Sequence, residues 1–584
     1  MAESGIDWFI VFCTDPHLSE YTAKCDRYLA AVSGFSGSAG TLVVGSDEAF
    51  LWTDSRYHVQ AAKQLLGTGI SLMKAGLSGV PTVEDYLSDH VWDGQTVSFD
   101  FYTASYDKYK AIRDVLNDTI TVTDGSSILK KAIPDLPARN FNTVDTIPLK
   151  YSGKSTGEKL GEIRKTLRNK YARNRSYTYI LSDLTAVMWL FDLRGRDVDF
   201  VPVAYAYAMI TDVSATLYVC RKMLTSNAVA GLSEASVSVR EYSCFYKDAC
   251  DIATDIVLAD SCTNNASLLI RFDDDGIYTD CPDAGIIKKS IKNSTEIEGM
   301  KKAHLTDAVT MIRFIRRIKQ MAEDGVLSDE FATGKMLDEM RLSQGASALS
   351  FKTICAYADN AAVVHYTARQ DSARQLLSEG YVLVDSGGQY ENLGTTDITR
   401  TISLGSVSDE EKRVYTTVLK GHLRLMGARF PQGFKGAFLD GIAEQPLWDA
   451  GYFCGHGIGH GVGHFLSVHE PETRISRGSS MRESEFFPGV IVSDEPGIYI
   501  EGRFGVRIEN LLLTVDGGTV DGNKMCTFEP LTLVPYDKES IDFSMLTEHE
   551  TRILKDYYDL VWEKVSPLLD DDEKAWLKEN IDIK

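Results

Sequence analysis

The sequence predicts a multidomain chain of α/β and α+β structure, with two tandem α/β domains followed by a larger α+β domain. Three observations lead to this prediction. The 584 residues are enough for three or four domains of roughly 150 residues each. A helix-then-strands order near the N-terminus recurs in the next block. After Gly380, short apolar strands separated by glycine alternate with long helices, which is typical of an α+β layer.

The first predicted domain covers residues 1–140. It contains a helix-like segment at 19–32, a glycine-rich turn, two strand-like segments and a second predicted helix at Tyr57–Leu66. Its end is marked by a polar stretch that holds three of the fifteen prolines of the chain, Pro134, Pro137 and Pro148. This composition predicts an extended linker.

The second predicted domain covers residues 141–293 and repeats the order of the first. A predicted helix at 158–172 precedes a strand at 177–182, a short helix and further apolar strands. We interpret the repetition as two similar domains in tandem. Chance similarity between two α/β segments is the alternative explanation.

The third predicted domain covers residues 294–584. Thr295 and Glu298 have the spacing of a capping box at the start of a long helix. His304 lies on the apolar stripe of this helix and is more simply explained as a packed side chain than as a ligand. Two further helices are predicted at Glu410–Phe430 and Phe434–Asp449.

Composition limits the possible partners and compartment. Lys plus Arg total 61 and Asp plus Glu total 83, for a net charge of −22, so a nucleic-acid or anionic lipid partner is not expected. The ten cysteines include no Cys-x-x-Cys pair, which argues against a zinc ribbon or a disulfide scaffold. The sequence shows neither a signal-peptide pattern nor a membrane-spanning apolar run. We expect a cytoplasmic protein.

Four of the eleven histidines lie within fourteen residues of the third domain: His456, His460, His464 and His469. The glycines between them exclude a stable helix, and the chain contains no His-Glu-x-x-His motif. Imidazole binds metals and transfers protons, so the cluster favours a metal or acid–base site. A glycine-rich surface loop is the simpler alternative.

Four acidic residues in the same block occupy predicted strand positions, namely Asp385, Asp397, Glu495 and Glu509. A charge at such a position is costly unless it is paired or bound to a metal. For any single one, a salt bridge or a strand-end surface position is the simpler explanation. Together with a histidine they form an oxygen-rich set that suits two divalent ions bridged by water, with Mn²⁺ more natural than Zn²⁺.

The order of these motifs resembles the metallopeptidases of the pita-bread fold, and within that group the three-domain cytosolic aminopeptidase P (Xaa-Pro aminopeptidase) family. The resemblance rests on the segments DSGGQY (385–390), GTTDITRT (394–401), HGIGHGVGHFLSVHE (456–470), DEPGIY (494–499) and RIEN (507–510). Further matches lie outside this block, at SGFSGSAGT (33–41), WTDSRY (52–57), WLFDLRG (189–195), VLKGH (418–422) and FEPLTLVP (528–535). The resemblance therefore covers nearly the whole chain and implies a C-terminal pita-bread catalytic domain.

The resemblance also implies roles for individual residues. The implied metal ligands are Asp385, Asp397, His460, Glu495 and Glu509. The implied catalytic residues are Glu495, His365 and His469, and the implied substrate-binding residues are Arg56, His365, His456 and His469. The spacing between Asp385 and Asp397 is one residue longer than the family pattern, in a turn that should leave both ligands in place. His464 has no role that the resemblance assigns.

By resemblance, the expected activity is hydrolysis of the bond between an N-terminal residue and a penultimate proline, at two divalent ions, most naturally Mn²⁺. The expected partners are peptides with a penultimate proline, and the resemblance implies a homodimer. Two alternatives stay open. A prolidase would use the same ligands on Xaa-Pro dipeptides, although the long N-terminal extension favours the aminopeptidase. A non-catalytic pita-bread binding protein would be expected to lack some of the ligands.

Overall fold

The computed structural model describes residues 1–282, 286–478 and 485–583. It divides into two compact units. Unit 1 comprises Met1–Leu149 and Lys154–Ile286, and unit 2 comprises Lys150–Gly153 and Ile287–Lys584. None of the described helices combines the length and the apolar composition needed to cross a membrane.

Unit 1 contains fourteen described strands. They are β1 (Trp8–Phe12), β2 (Thr41–Val44), β3 (Ala49–Thr53), β4 (Ile70–Lys74), β5 (Thr96–Phe99), β6 (Thr121–Asp124), β7 (Asp145–Thr146), β8 (Tyr177–Leu181), β9 (Leu193–Arg194), β10 (Ala206–Ile210), β11 (Ala215–Val219), β12 (Val237–Glu241), β13 (Ile256–Ala259) and β14 (Tyr278–Asp280).

Helices separate these strands. They are α1 (Tyr28–Ser33), α2 (His58–Gln64), α3 (Val83–His90), α4 (Tyr106–Val115), α5 (Ser126–Ala132), α6 (Leu149–Ser152), α7 (Thr156–Thr166), α8 (Leu184–Leu190), α9 (Ser226–Glu234), α10 (Phe245–Cys250), α11 (Ala266–Asp274) and α12 (Ile286–Ser290). Helices α6 and α12 lie where the chain passes between the two units.

The two six-stranded sheets of unit 1 have the same topology. Their strand orders are β4-β3-β2-β1-β5-β6 and β12-β11-β10-β8-β13-β14. In the order given, the second and third of the five strand pairings are antiparallel in both sheets, and the other three are parallel. The matching order agrees with the predicted repetition of one α/β arrangement.

Unit 2 is built from antiparallel strands and long helices, as the sequence predicts. The strands are β15 (Ala348–Leu349), β16 (Ile354–Tyr357), β17 (Tyr381–Ser386), β18 (Gly388–Tyr390), β19 (Gly394–Thr395), β20 (Ile398–Ser403), β21 (Arg429–Pro431), β22 (Gly459–Gly461), β23 (Glu470–Ile475), β24 (Ile491–Asp494), β25 (Gly497–Ile500), β26 (Phe504–Arg507), β27 (Asn510–Val520) and β28 (Asn523–Pro530). The helices are α13 (Ser294–Glu323), α14 (Glu330–Ser343), α15 (Asp409–Met426), α16 (Gly436–Asp449), α17 (Glu548–Val565) and α18 (Asp571–Ile581).

Two sheets of unit 2 are central to the functional site. One has the order β16-β17-β20, and the other has the order β21-β28-β27-β24-β22-β23. The main hydrophobic core joins helices α13, α15 and α17 to these strands, through fully buried side chains such as Ile312, Val418 and Val561. Burial of each such side chain stabilises the fold by about 1.5–3 kcal/mol.

Helix boundaries differ from the sequence predictions in ways that local chemistry explains. Helix α13 begins two residues earlier than the predicted capping box implies, because Asn293, and not Thr295, caps it and forms the box with Glu296. Helix α15 ends at Met426 and not at Phe430, because Gly427 follows and residues 429–431 join a strand. Helix α16 begins at Gly436, two residues later than predicted. His304 is buried, and its Nδ1 contacts the Met300 carbonyl, as expected of a packed side chain.

Candidate metal centre

The predicted ligands lie at or beside strand ends in the two central sheets of unit 2. Asp385 is in β17, Asp397 directly precedes β20, His460 is the middle residue of β22, Glu495 directly follows β24, and Glu509 directly precedes β27. The sequence predicts Asp397 and Glu509 within strands, and the structure places them one residue outside. Antiparallel pairing of Asp385 with Thr399 and of Asp494 with Asn510 brings these positions together.

Three of the predicted ligands form a compact group. Ligand atoms of Asp397, His460 and Glu509 all lie within 4.8 Å of one another. Nε2 of His460 is 3.5 Å from Oδ2 of Asp397 and 3.6 Å from Oε1 of Glu495. These separations are long for hydrogen bonds and close to the spacing of about 3–3.5 Å between neighbouring ligands on one cation.

The backbone sets the orientation of the His460 ring. Nδ1 of His460 donates to the Gly461 carbonyl over 3.0 Å, and this bond assigns the ring proton to Nδ1. The lone pair of Nε2 therefore points toward the carboxylates, as in metal-binding histidines held by a carbonyl.

A glycine allows the strand with His460 to approach the strand that leads to Glu495. A Cβ atom at Gly459 would lie 2.0 Å from the Ser493 carbonyl oxygen, so only glycine fits. The backbone N–H of His460 donates to the Ser493 hydroxyl over 2.9 Å, and that of Glu495 donates to the Ile458 carbonyl over 2.8 Å. The glycines of this segment therefore serve close strand packing, and the segment contains no helix, as predicted.

Asp385 joins the group through a buried arginine. Nη2 of Arg507 donates to Oδ2 of Asp385 over 2.6 Å, and Nε of Arg507 donates to the Thr399 hydroxyl over 3.2 Å. That hydroxyl donates to Oε2 of Glu509 over 2.8 Å. Arg507 thus holds one oxygen of Asp385 and, through Thr399, one oxygen of Glu509.

The remaining oxygens of these carboxylates have the character of cation ligands. Oδ1 of Asp385, Oδ1 of Asp397 and Oε1 of Glu509 are buried and accept no hydrogen bond from any described residue. A buried carboxylate oxygen without a donor is unfavourable unless a cation compensates it. The donor set of four carboxylates and one imidazole therefore fits divalent ions that prefer oxygen ligands.

The pKa shifts within this group of carboxylates also indicate a cation site. Burial, and then the charges of Glu509, Asp385 and Glu495, raise the pKa of Asp397 well above its usual range. Burial, and then the charges of Glu495 and Asp385, also raise the pKa of Glu509 well above its usual range. Arg507 opposes both shifts but supplies a single positive charge. The cluster carries an excess of negative charge that a divalent cation would relieve.

A polar chain connects the cluster to His456. Nη1 of Arg507 donates to the Tyr499 hydroxyl over 2.7 Å, and that hydroxyl lies 2.7 Å from Nε2 of His456. Nδ1 of His456 contacts the Gly457 carbonyl at 2.9 Å. With Nδ1 donating to that carbonyl, the Tyr499 hydroxyl donates to Nε2, and the orientation of His456 depends on Arg507.

The other predicted site residues are placed as follows. The His469 ring lies 4.4 Å from the His460 ring, edge to face, directly before β23. His365 is half-buried in the segment that connects β16 and β17. His464 is buried, and a Cβ atom at Gly299 would lie 3.1 Å from its Nε2. Arg56 is in unit 1, where it forms a bidentate pair with Asp54 at 2.9 and 2.8 Å, and its substrate role stays a prediction.

Sequence reasoning missed Arg507, Tyr499 and Thr399, although all three stand in the quoted motifs. A signal was present in RIEN, because residues 507 and 509 are two apart in an extended segment and share one face. An arginine on the face that carries a buried glutamate indicates a buried ion pair.

Family models match almost the whole chain. The model of metallopeptidase family M24 matches residues 298–516, and the C-terminal region of that family matches residues 524–582. Two models of the creatinase/prolidase N-terminal domain match residues 1–132 and 135–296.

Curated relatives match over their full length. A Pyricularia oryzae protein named "Probable Xaa-Pro aminopeptidase P" is 36% identical over 99% of this chain and 96% of its own. The chain belongs to the Xaa-Pro aminopeptidase P family. The relative of the same name from Chaetomium globosum is also 36% identical, with the same coverage. Membership of the Xaa-Pro aminopeptidase P family confirms the resemblance found in the sequence and identifies the chain as a metallopeptidase.

Solved structures confirm the predicted fold, including the C-terminal pita-bread domain. The X-prolyl aminopeptidase of Caenorhabditis elegans, described as a cytosolic enzyme with a di-nuclear active site, superposes with a TM-score of 0.93 at 30% identity, over 99% of this chain and 95% of its own. A prolidase from Pyrococcus horikoshii has a TM-score of 0.50 at 23% identity, over 65% of this chain and 99% of its own. The similarity to the prolidase concerns the fold alone, whereas that to the Xaa-Pro aminopeptidase P family extends over the whole chain.

Proposed function

We propose that this chain is a metal-dependent aminopeptidase that removes an N-terminal residue preceding proline, by hydrolysis of the Xaa–Pro bond. The observation that carries the proposal is the group of buried carboxylate oxygens without donors around His460, in a chain similar over its full length to Xaa-Pro aminopeptidases P.

The residues that would hold two divalent ions are Asp385, Asp397, His460, Glu495 and Glu509. When bound, such a pair of ions supplies Lewis-acid polarisation of a carbonyl and activation of water near neutral pH. Support for two ions comes from the five donor side chains and from the di-nuclear site of the Caenorhabditis elegans structure. We propose Mn²⁺ because four of the five donors are carboxylates.

Glu495 is the proposed general base and acid. Burial raises the pKa of its carboxyl, while the neighbouring His456 and Arg507 oppose the shift. In this role, the carboxylate accepts a proton from the attacking water and delivers it to the leaving proline nitrogen. Protonation of that nitrogen is needed because an amine leaves poorly as an anion.

The histidines around the cluster are proposed to act on the substrate. His365 and His469 would hydrogen-bond the scissile carbonyl as its oxygen gains negative charge, a contribution of a few kcal/mol. His456, oriented by Tyr499, would contact the peptide, and so would Arg56. The free α-amine of the peptide would bind at the metal pair held by these residues, so a single residue is removed.

The shape of proline determines the class of substrate. Its nitrogen belongs to a tertiary amide without an N–H, and its ring fixes the backbone angle φ. The expected partners are therefore peptides with a penultimate proline, and nucleic acid and membranes are not among them.

We also propose a cytoplasmic homodimer of three-domain subunits, with domains at 1–140, 141–293 and 294–584. The repeated sheet topology of unit 1 supports the first two domains. The resemblance to the aminopeptidase P family implies the dimer, and the exposed side chain of Phe438 in unit 2 is chosen as a trial contact between subunits. Light scattering on Phe438→Glu tests the dimer, with a monomer expected and an unchanged mass contradicting a contact through this residue.

One assay tests the activity. The purified protein is given an Xaa-Pro-Yaa tripeptide and the corresponding Xaa-Pro dipeptide, with Mn²⁺ and with a chelator. Release of the first residue from the tripeptide in Mn²⁺, and its loss in chelator, is the expected result. Cleavage of the dipeptide alone would identify a prolidase, and no cleavage in any condition would identify a non-catalytic binding protein.

A further inference from the structure

Glu330, the first residue of α14, is a fully buried acid that is not one of the proposed metal ligands. Its two oxygens accept five hydrogen bonds from residues 357–374, which run from the last residue of β16 into the segment that leads to β17. The donors are the Tyr357 N–H (2.7 Å), the Asn360 side-chain amide (3.0 and 3.1 Å), the Tyr366 hydroxyl (2.7 Å) and the Arg374 N–H (2.9 Å).

All four donor groups are uncharged: two backbone N–H groups, one side-chain amide and one hydroxyl. A carboxylate buried among neutral donors is favourable only when they converge on it, as they do here. The guanidinium of Arg374 pairs with Asp359, and only the backbone N–H of Arg374 is among these donors to Glu330. The backbone N–H of Glu330 also donates a hydrogen bond of 2.9 Å to the Arg374 carbonyl.

The segment held in this way contains His365. It consists of a short 3-10 helix, Ala358–Ala362, followed by turns, so it has few backbone hydrogen bonds of its own. The donors to Glu330 lie on both sides of His365, and Tyr366 is its direct neighbour. One acceptor therefore fixes the position of an irregular segment where regular secondary structure does not.

The same segment contacts β26, the strand that carries Arg507, at two points on the N-terminal side of His365. Nη2 of Arg507, which binds Asp385, also contacts the Val364 carbonyl at 3.5 Å. The Ala361 carbonyl packs against β26 so closely that a Cβ atom at Gly505 would lie 2.0 Å from its oxygen. Glu330 anchors the segment from one side, and β26 limits it from the other.

We propose that Glu330 is a positioning residue for His365, which it holds toward the substrate through the backbone of residues 357–374. The inference rests on the substrate role of His365 in the proposed function. Glu330 itself contacts neither the metal ligands nor the reacting atoms. Small displacements of a substrate group are enough to slow an enzyme, by about a hundredfold for 1 Å.

The test is a double-mutant cycle of Glu330→Gln and His365→Ala, with metal content and thermal unfolding measured for each protein. Glutamine keeps the shape of the side chain but turns an NH₂ group toward donors that need an acceptor. The matched control is Glu339→Gln, at an exposed glutamate on the same helix whose one ion pair within the described part of the chain is with Lys335. We expect Glu330→Gln to lower kcat on an Xaa-Pro-Yaa peptide about tenfold to a hundredfold with both metals retained.

In the His365→Ala background, the same change should cost less than about twofold, because the group that it positions is absent. Equal losses in both backgrounds, or loss of metal in Glu330→Gln alone, would overturn the proposal. Tyr366→Phe removes one of the five bonds and should give a smaller loss of kcat, with the same dependence on His365. This second variant keeps the test valid if Glu330→Gln does not fold. A wild-type protein without activity, or a fully active His365→Ala, would instead contradict the proposed function.

Discussion

Arg507 donates a 2.6 Å hydrogen bond to Oδ2 of Asp385, and this contact leaves Oδ1 of that carboxylate as the oxygen without a donor among the described residues. The same guanidinium reaches Thr399 and Tyr499, so its planar fork organises three partners at once.

Arg507→Lys should therefore lower kcat/KM by about tenfold to a hundredfold, because an ammonium group cannot reach all three partners. Steady-state kinetics at saturating Mn²⁺ measure the effect. Arg503→Lys is the control, since Arg503 is exposed and pairs only with Glu410 among the described residues. A wild-type rate in Arg507→Lys would show that the fork has no positioning role.

Asp397→Asn should abolish hydrolysis and reduce metal content together. The amide loses the charge that attracts a cation to the buried Oδ1. Metal analysis of the purified protein, set against exposed Asp449→Asn, measures the change. Two ions per chain in Asp397→Asn would mean that the ligand assignment is wrong.

Glu495→Gln separates metal binding from proton transfer. The amide keeps an oxygen of similar position but has no useful basicity, so at least one ion should stay bound. General-base loss lowers kcat by about 10²–10⁴-fold, with KM little changed. If kcat on an Xaa-Pro-Yaa peptide stays at the wild-type value, the proton passes through another group, and His469 is the next candidate.

Gly459→Ala should impair the site through the backbone alone. The new methyl group would overlap the Ser493 carbonyl and force β22 away from β24, which separates His460 from Glu495. We expect weaker Mn²⁺ binding in a titration followed by activity. Gly455→Ala, four residues earlier and with open space around its Cβ position, should behave like the wild type. Equal metal affinity in the two variants would contradict this account.

His17 in unit 1 should make stability depend on pH. Burial lowers its pKa to about 3, and its neighbours are the Ser182 carbonyl, which opposes the shift, and the cation Arg139, which adds to it. Unfolded histidine binds a proton below about pH 6.5, so the folded state loses up to about 1.4 kcal/mol of stability per pH unit as pH falls from 6.5 toward 3.

His17→Gln removes the titrating imidazole and with it this loss of folding stability at low pH. The stability of the variant relative to the wild type should therefore rise as pH falls below 6.5. Asp15, which accepts the His17 N–H, has a pKa raised by burial to about 6 and acts in the opposite direction, but it is present in both proteins. Urea unfolding from pH 5 to 8 measures the difference, with exposed His90→Gln as control. A constant difference across this range would show that His17 is not the titrating group.

The sequence predicted the fold class and the candidate ligands because both leave periodic or chemical signals. Acids at apolar strand positions and histidines between glycines are visible without coordinates. The partners of Arg507 are not visible in the sequence, because they depend on pairing between strands that lie far apart along the chain. Glu330 was missed for the same reason. Its donors lie in an irregular segment, and no local pattern shows that they converge.

The proposed ligands are spread along the chain from Asp385 to Glu509, and this has a consequence for biosynthesis. Domains fold from the N-terminus as they leave the ribosome, at about 5–20 residues per second. Unit 1 can complete its sheets before β24 and β27 have been translated. The stretch from the first to the last ligand then takes on the order of ten seconds to synthesise. A nascent chain therefore presents Asp385 and Asp397 well before Glu509 exists, and we expect the proposed site to take up metal only after the last of these strands has been translated.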